Sequence, residues 1–364
     1  KKLMLPLSVT DEADAISTAR FCARRRTDIC NVVAVVENDP ARAEAAKKDF
    51  RIDTYHSYTE LFDRTDLDFV VNASYQTCIT LLQKICWSMA SMFCAETSVQ
   101  DTEMVQDLID TAKKNNVVFT IFHQYRYNDY YIKMHELLEK KVIGDVKLVK
   151  ACQNSFARRY DWQTLLYREG GSMRNNAAHS IEQIMHLANS DEIPKIYSHM
   201  AIWNSVGDAE DYMFCVMEYS NGVRYEMEVN PSDAYASETP LFRIYGTHGT
   251  MRVYSNKNPV QDFLDSETPE PVLDHKSLHK ADGSPSYCDN HIVWHEENIE
   301  LDADVWNSFT KCSNRFYHAF YDHLVNGAEL FMKTGHVKAE IAIFNEIERQ
   351  NPLEMKFTKP ADVI

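Results

Sequence analysis

Asn31–Phe50, NVVAVVENDPARAEAAKKDF, carries the pattern that decides the fold. Its opening NVVAVV is a short, nearly continuous apolar run rich in valine, the signature of a strand buried on both faces. Glu37-Asn38-Asp39 breaks the run. Pro40–Phe50 then supplies helix formers, with proline in the first turn where its missing N–H is harmless. A buried strand feeding at once into a helix is half of a βαβ unit. The same alternation extends in both directions. Leu3–Val9 reads as a strand and Asp14–Arg26 as a helix closed by three arginines, which suits a helix C-terminus. Thr59–Asp63 reads as a short helix and Asp68–Ala73 as a strand. Cys78–Ala90 is an apolar helix, Met92–Ala95 a strand, Gln100–Asn115 an amphipathic helix and Val117–Phe122 a strand. Strands alternating with helices predict a parallel sheet with right-handed crossovers over residues 1–122.

Beyond that point the pattern changes. Tyr130–Lys141 reads as a helix ending before Gly144, Val146–Ser155 as a strand, and Met173–Asn189 as a helix. Several alternating strands follow between Tyr197 and Val253. Asn221-Gly222 between two of them signals a hairpin, and Gly246–Gly249 marks another turn. Asn256–Ser308 is polar and weakly periodic, an irregular excursion. Helices near Ser313–Asn326 and Gly335–Gln350 close the chain. The fold class is therefore α/β: a Rossmann-like parallel-sheet domain over residues 1–122, then an α+β domain with a large, mainly antiparallel sheet over residues 123–364.

The 364 residues contain only 10 glycines, where ordinary usage would give roughly 25. The first is Gly144. No motif built on a glycine loop can lie in the first domain, which excludes the usual Walker A and G-x-G-x-x-G forms. The 54 acids exceed the 38 bases by 16, and residues 144–364 hold 33 of the acids against 20 bases. An acidic second half argues against nucleic acid or an anionic membrane as partner. Nine scattered cysteines without a C-x-x-C pair suit a reducing compartment. The start, Lys1–Leu5, is too short and too soon acidic for a signal peptide, and no apolar run approaches the length of a membrane helix. A cytoplasmic protein is expected.

Seven stretches together carry a family resemblance. They are Val33–Ala45, Tyr58–Ala73, Val117–Tyr131, Gly144–Val149, Gly170–Leu187 (GGSMRNNAAHSIEQIMHL), Glu238–Val253 and Phe320–Gly327. In order and spacing, from end to end, the chain resembles the glucose–fructose oxidoreductase / inositol dehydrogenase (Gfo/Idh/MocA) family. That resemblance implies a nicotinamide-dependent dehydrogenase fold acting on sugars, polyols and related alcohols. It also implies association through the open sheet of the second domain, with a copy of the chain or a related subunit. Fold alone does not carry chemistry, so each site is read on its own residues.

The family's pyrophosphate loop corresponds here to Ser8–Ala15. It has no glycine and carries Asp11, Glu12 and Asp14 where the diphosphate would lie. Side chains block close approach, and each like-charge contact near 4 Å costs about 1 kcal/mol in water and about 4 at an effective dielectric of 20. The same acids also suit the first turn of a helix with no ligand at all. Glu37 keeps the acid at the adenosine-ribose position. The next cofactor loop reads Ala73-Ser74-Tyr75-Gln76, so Ser74 and Gln76 stand where the family has a different sequence.

The family's E-K-P lysine is replaced within Glu96-Thr97-Ser98, and Thr97 cannot stabilise an alkoxide as an ammonium can. The motif Gly170–His179 keeps His179 at the position of the family's proton acceptor. Asn175 replaces its acid and Asn176 follows. Glu182, at i+3 from His179, could orient the ring. A metal site is not expected, because His179 and His186 are two turns apart with no further ligand in a recognised motif. Arg126, Tyr127, Tyr160, Trp162, Asn176 and Glu182 form the inventory for a sugar or polyol: aromatic faces and planar polar groups.

The coordinated loss of glycine loop and lysine favours a family member without cofactor or dehydrogenase activity, serving as a partner, regulatory or carbohydrate-binding subunit. The alternative is an active NAD- or NADP-dependent sugar, polyol or glycoside dehydrogenase with an atypical cofactor loop. A further alternative is a cofactor-free acid/base enzyme built on His179.

Overall fold

A computed structural model describes residues 3–9, 29–37, 39–61, 63–73, 92–95, 101–273, 278–288, 291–301 and 308–359. The loop at Asp11–Asp14 and the expected helices Asp14–Arg26 and Cys78–Ala90 lie outside them.

Six strands form the first sheet: β1 (Leu3–Val9), β2 (Cys30–Glu37), β3 (Asp53–Tyr55), β4 (Phe69–Ala73), β5 (Met92–Ala95) and β6 (Phe119–Ile121). Their spatial order is β3-β2-β1-β4-β5-β6 and every pairing is parallel. This is the doubly wound dinucleotide-fold order, with its crevice at the carboxyl ends of the strands. The reading of Asn31–Phe50 holds: β2 is followed by helix α1 (Pro40–Phe50). The Asp39 carboxylate caps α1 by accepting from Arg42 N at 2.8 Å. Arg51 closes it in the left-handed conformation, φ 55°. β1 contains Pro6, which cannot donate to a ladder, and the β1–β2 register shifts between Leu5 and Pro6. A shift there is the usual way a sheet tolerates proline. Helix α2 (Thr102–Lys114) buries Val105, Leu108, Ile109 and Ala112 at helical spacing.

After helix α3 (Asp129–Glu139) comes the second sheet, of eight strands. Its members are β7 (Val146–Cys152), β8 (Lys195–Ala201), β9 (Tyr212–Glu218), β10 (Arg224–Val229), β11 (Phe242–Gly246), β12 (Gly249–Val253), β13 (Lys257–Asp262) and β14 (His295–Glu300). All pairings are antiparallel except β7 with β10. The hairpin at Asn221-Gly222 joins β9 to β10, and Gly222 takes φ +76°. The excursion Asn256–Ser308 is more ordered than its polarity suggests, because its two ends pair as β13 and β14 and extend the sheet edge.

Helix α4 (Ala178–Ala188) packs against β10 and buries Ile181, Ile184 and Met185 in the core of the second sheet. Helices α5 (Ser308–Asn326) and α6 (Thr334–Gln350) close the described fold. α5 returns to the first sheet. Phe316 and Phe320 are fully buried there, edge-on to Phe122 and Phe69 at ring-centroid distances of 4.7 and 5.5 Å.

Candidate active site

β6 ends at Ile121 and delivers Phe122 and His123 to the carboxyl side of the parallel sheet. A single 3₁₀ turn, Gln124–Tyr127, then leads into α3. Facing it is the segment Gly170–Ala188. Both glycines at its start are required by packing. A Cβ on Gly170 would lie 2.3 Å from the Gln163 carbonyl oxygen. Gly171 adopts φ +126°, and a Cβ there would lie 2.3 Å from the Glu210 carboxylate. Glu210 in turn accepts from Met173 N at 2.9 Å. The chain next makes one π-helical turn, Met173–Ala177, before α4 begins. Such turns re-aim side chains and often stand at functional sites. This one sets His179 in the first turn of α4.

Burial in the fold, followed by the positive field of His123, holds the His179 imidazole down to about 3, so its ring is neutral at ordinary pH. Its Nδ1 lies 3.4 Å from Nδ1 of His123. Tyr125 stacks on the other side, centroid to centroid 4.3 Å. His123 is fully buried, and its Nε2 meets Oε2 of the equally buried Glu340 at 2.9 Å. Burial works against charge on His123, but the Glu340 carboxylate outweighs it and holds that imidazole above its ordinary value. Three residues from three segments thus form one line: Glu340 on α6, His123 after β6 and His179 on α4.

Beside this line Arg126 pairs with Glu182 and donates to the Phe331 carbonyl at 3.0 Å. Both partners are buried. Glu182 therefore faces Arg126, and the ring next to His179 is His123. An i+3 spacing puts two side chains on adjoining stripes of a helix, and the neighbour that fills the gap decides which is met. Gln183 donates to the Tyr125 carbonyl at 2.9 Å and fixes the 3₁₀ turn against α4. Tyr127 packs edge-on to Phe331.

Asn175 sits in the π turn, joined to Gln163 by two amide hydrogen bonds of 3.0 Å. It also donates to Asn176 Oδ1 at 3.2 Å. Trp162 is half-buried in the adjoining 3₁₀ turn. Tyr160 is 86% exposed, so its ring is not packed into a wall. Glu37 closes β2 and is buried. Its Oε1 accepts from Asp39 N at 2.8 Å and from Arg42 at 3.0 Å, while Oε2 has no hydrogen-bond partner among the described residues. Ser74, Gln76, Glu96 and Thr97 lie outside the described residues. No group of three or more potential metal ligands gathers among the described residues. His186 is bound to Tyr131 OH at 2.7 Å and stacks on His135. Among the described residues no helix is long and apolar enough to cross a membrane.

A cavity of about 320 Å³ opens beside the π turn, lined among others by Glu169, Met173, Arg174, Met200, Glu210 and Leu353. Burial pushes the Glu169 and Glu210 carboxyls up to about 7. Neither His123 nor His179 lines it.

His123, Tyr125 and Glu340 escaped the sequence reading. His123 is marked only by its place directly after a predicted strand, and its carboxylate partner lies 217 residues further on. No local spacing links the two.

Residues 131–252 match the GFO/IDH/MocA C-terminal domain. An uncharacterized oxidoreductase of Streptococcus pneumoniae serotype 4 is 22% identical over 337 residues, covering 88% of this chain and 82% of the relative. Trans-1,2-dihydrobenzene-1,2-diol dehydrogenase of Xenopus tropicalis is 24% identical over 229 residues, 62% of this chain and 67% of that protein. Among solved structures, an oxidoreductase from Agrobacterium radiobacter in complex with NAD+, L-tartaric acid and magnesium shares the fold. Its TM-score is 0.73 at 14% identity, and the match covers 96% of each chain. The matched C-terminal domain, the strand order of both sheets and the end-to-end likeness agree: the chain has the Gfo/Idh/MocA fold and carries that family's C-terminal domain over residues 131–252.

Proposed function

We propose that the chain is a nicotinamide-linked oxidoreductase acting on a small alcohol or polyol, with His179 exchanging the proton of the reacting hydroxyl. The observation that carries this reading is the desolvated, neutral His179 ring at the carboxyl side of the parallel sheet. A neutral imidazole can take or give a proton, and the crevice beyond the strand ends is where this fold class holds dinucleotides. The relatives point the same way, since one is a diol dehydrogenase and a protein of the same fold binds NAD+.

The residues present suit the adenosine end of NAD. Glu37 has one carboxylate oxygen held by Asp39 and Arg42 and a second, buried oxygen without a partner among the described residues. A ribose hydroxyl would satisfy that oxygen, whereas the phosphate of NADP would meet its charge. The bound nicotinamide would supply hydride chemistry. The chain's own part is to hold the dinucleotide, exclude water and handle the hydroxyl proton at His179. Asn176 in the π turn and Trp162 in the 3₁₀ turn that precedes it are the polar and aromatic groups for orienting a polyol.

A second reading is favoured by one specific observation, the glycine-free Ser8–Ala15 segment with its three acids. It describes a subunit that keeps the cleft for a carbohydrate ligand or a partner chain and has lost the dinucleotide. Calorimetric titration with NAD+, NADH, NADP+ and NADPH separates the two. The first reading expects NAD+ or NADH to bind in the micromolar range and more tightly than the phosphorylated forms. No binding of any of the four would leave the second reading standing.

A further inference from the structure

We propose that Glu340 and His123 form a proton relay behind His179, fixing which ring nitrogen of His179 faces the cleft with a proton. The inference rests on the reading of His179 as the residue that exchanges the hydroxyl proton, and it names two positioning residues that nothing in the family motifs marks.

The geometry comes first. His123 and Glu340 are both at 0% exposure, so neither can serve solvent. A fully buried histidine–carboxylate pair is a poor way to gain stability, because desolvation of the two groups offsets most of their attraction. Its placement is specific. One His123 nitrogen is 2.9 Å from the Glu340 carboxylate, and the other points at His179 Nδ1, 3.4 Å away. The rings of His123 and His179 meet edge to face, with planes 87° apart. The 3.4 Å separation is long for a hydrogen bond, as such contacts often are before a ligand closes the site. Tyr125 stacked on His179 limits the ring to small rotations.

The nitrogen assignments follow by elimination. With Glu340 ionised and His123 doubly protonated, His123 Nε2–H donates to Glu340 and Nδ1–H donates to His179 Nδ1. His179 then carries its single proton on Nε2 and offers an N–H to a ligand carbonyl. That is the state ready to reduce. When His179 Nε2–H is given up to the ligand oxygen, the His123 Nδ1 proton moves to His179 Nδ1. His123 becomes neutral, and Glu340 stays a carboxylate accepting from its Nε2–H. The reverse sequence takes a hydroxyl proton. The O–H bond breaks and His179 Nε2–H forms, while His179 Nδ1–H breaks and His123 Nδ1–H forms. The positive charge therefore ends on His123 beside Glu340 rather than on His179.

This arrangement resolves a difficulty in the site. His179 alone, held down by burial and by His123, would be a feeble base. Coupled to His123, which the carboxylate holds up, it borrows the basicity of the inner ring. The other charges facing the pair are Glu182 from α4 and Arg126 from the 3₁₀ turn, of opposite sign and joined to each other. Their fields on His123 oppose, which leaves Glu340 as the controlling charge.

Long-range ¹H–¹⁵N spectra of the histidine rings test the relay on the full-length, cofactor-free protein, titrated across neutral pH. The wild type is expected to show His123 with both ring protons and His179 with its proton on Nε2. In Glu340→Gln the midpoint of His123 is expected to fall by about one pH unit or more, a tenfold or greater change in its proton affinity, and His179 to redistribute between its tautomers. Unchanged His123 and His179 signals in the folded variant would overturn the relay. Should the variant not fold, the wild type alone decides. A His179 proton on Nδ1 opposite a doubly protonated His123 leaves no proton to share and overturns it equally. Dinucleotide binding with indifferent histidine spectra would sink the relay alone. The expected spectra without dinucleotide binding would sink only the oxidoreductase reading.

Discussion

His123 and His179 are neighbours whose protonation answers to opposite influences. His179 and His186 are held down to about 3, chiefly by burial, from an ordinary 6.5. The unfolded chain therefore binds protons at these two positions in a range where the folded chain does not. Stability should fall as pH drops from about 6.5 toward about 3. His123 has the opposite sign. Its folded value is raised, so its contribution is complete below the ordinary histidine value and is lost as pH rises through the folded one. Urea unfolding at a series of pH values should show both limbs, and His179→Asn should shrink the acid limb. At this scale the family resemblance pointed to Glu37 and His179, which stand at the end of β2 and in the first turn of α4. It could not disclose that Glu182 would face Arg126, or that His123 would meet Glu340. The first contact depends on α4 packing against the 3₁₀ turn, the second on helix α6 docking against the end of β6.

At the scale of elements, the π turn Met173–Ala177 is the feature that most shapes the site. It was expected to be part of one continuous helix, Met173–Asn189, because a π turn keeps the apolar periodicity on both sides nearly intact. What holds it is the Gly170-Gly171 pair packed against Gln163 and Glu210. Gly171→Ala places a Cβ in a backbone region that L residues rarely adopt and against a carboxylate. A loss of about 1–3 kcal/mol is expected in urea unfolding. A neutral result would mean that the segment shifts freely. The long elements were legible: β2, α1, α2 and α6 all fall within a residue or two of the expected ranges, since periodicity and capping agree there. The edge pair β13 and β14 was not: β14 is polar and exposed, and the alternate buried positions of β13 hold Asn258 and Val260, so neither shows a run of alternating apolar residues.

Across the whole molecule, the last helices tie the two sheets together. α5 lays Phe316, Tyr317 and Phe320 on the first sheet, and α6 sends Glu340 to His123. Phe316→Ala should cost roughly 3–5 kcal/mol. Hydrogen exchange should show the loss in β4 and β6 as well as in α5, and protection lost in α5 alone would show the sheets to be uncoupled. The parallel sheet could be anticipated from the alternation of strand and helix, without a single glycine to mark a phosphate loop, whereas its strand order comes from the structure. The missing glycines bear on the cofactor rather than on the fold. That leaves one question above the others, whether the crevice still takes a dinucleotide. Titration calorimetry with NAD+, on the wild type and on Glu37→Ala, answers it most directly. Micromolar binding by the wild type, weakened about tenfold or more in the variant by loss of a charged hydrogen bond, is the expected result. No heat of binding to the wild type at millimolar NAD+ would contradict it.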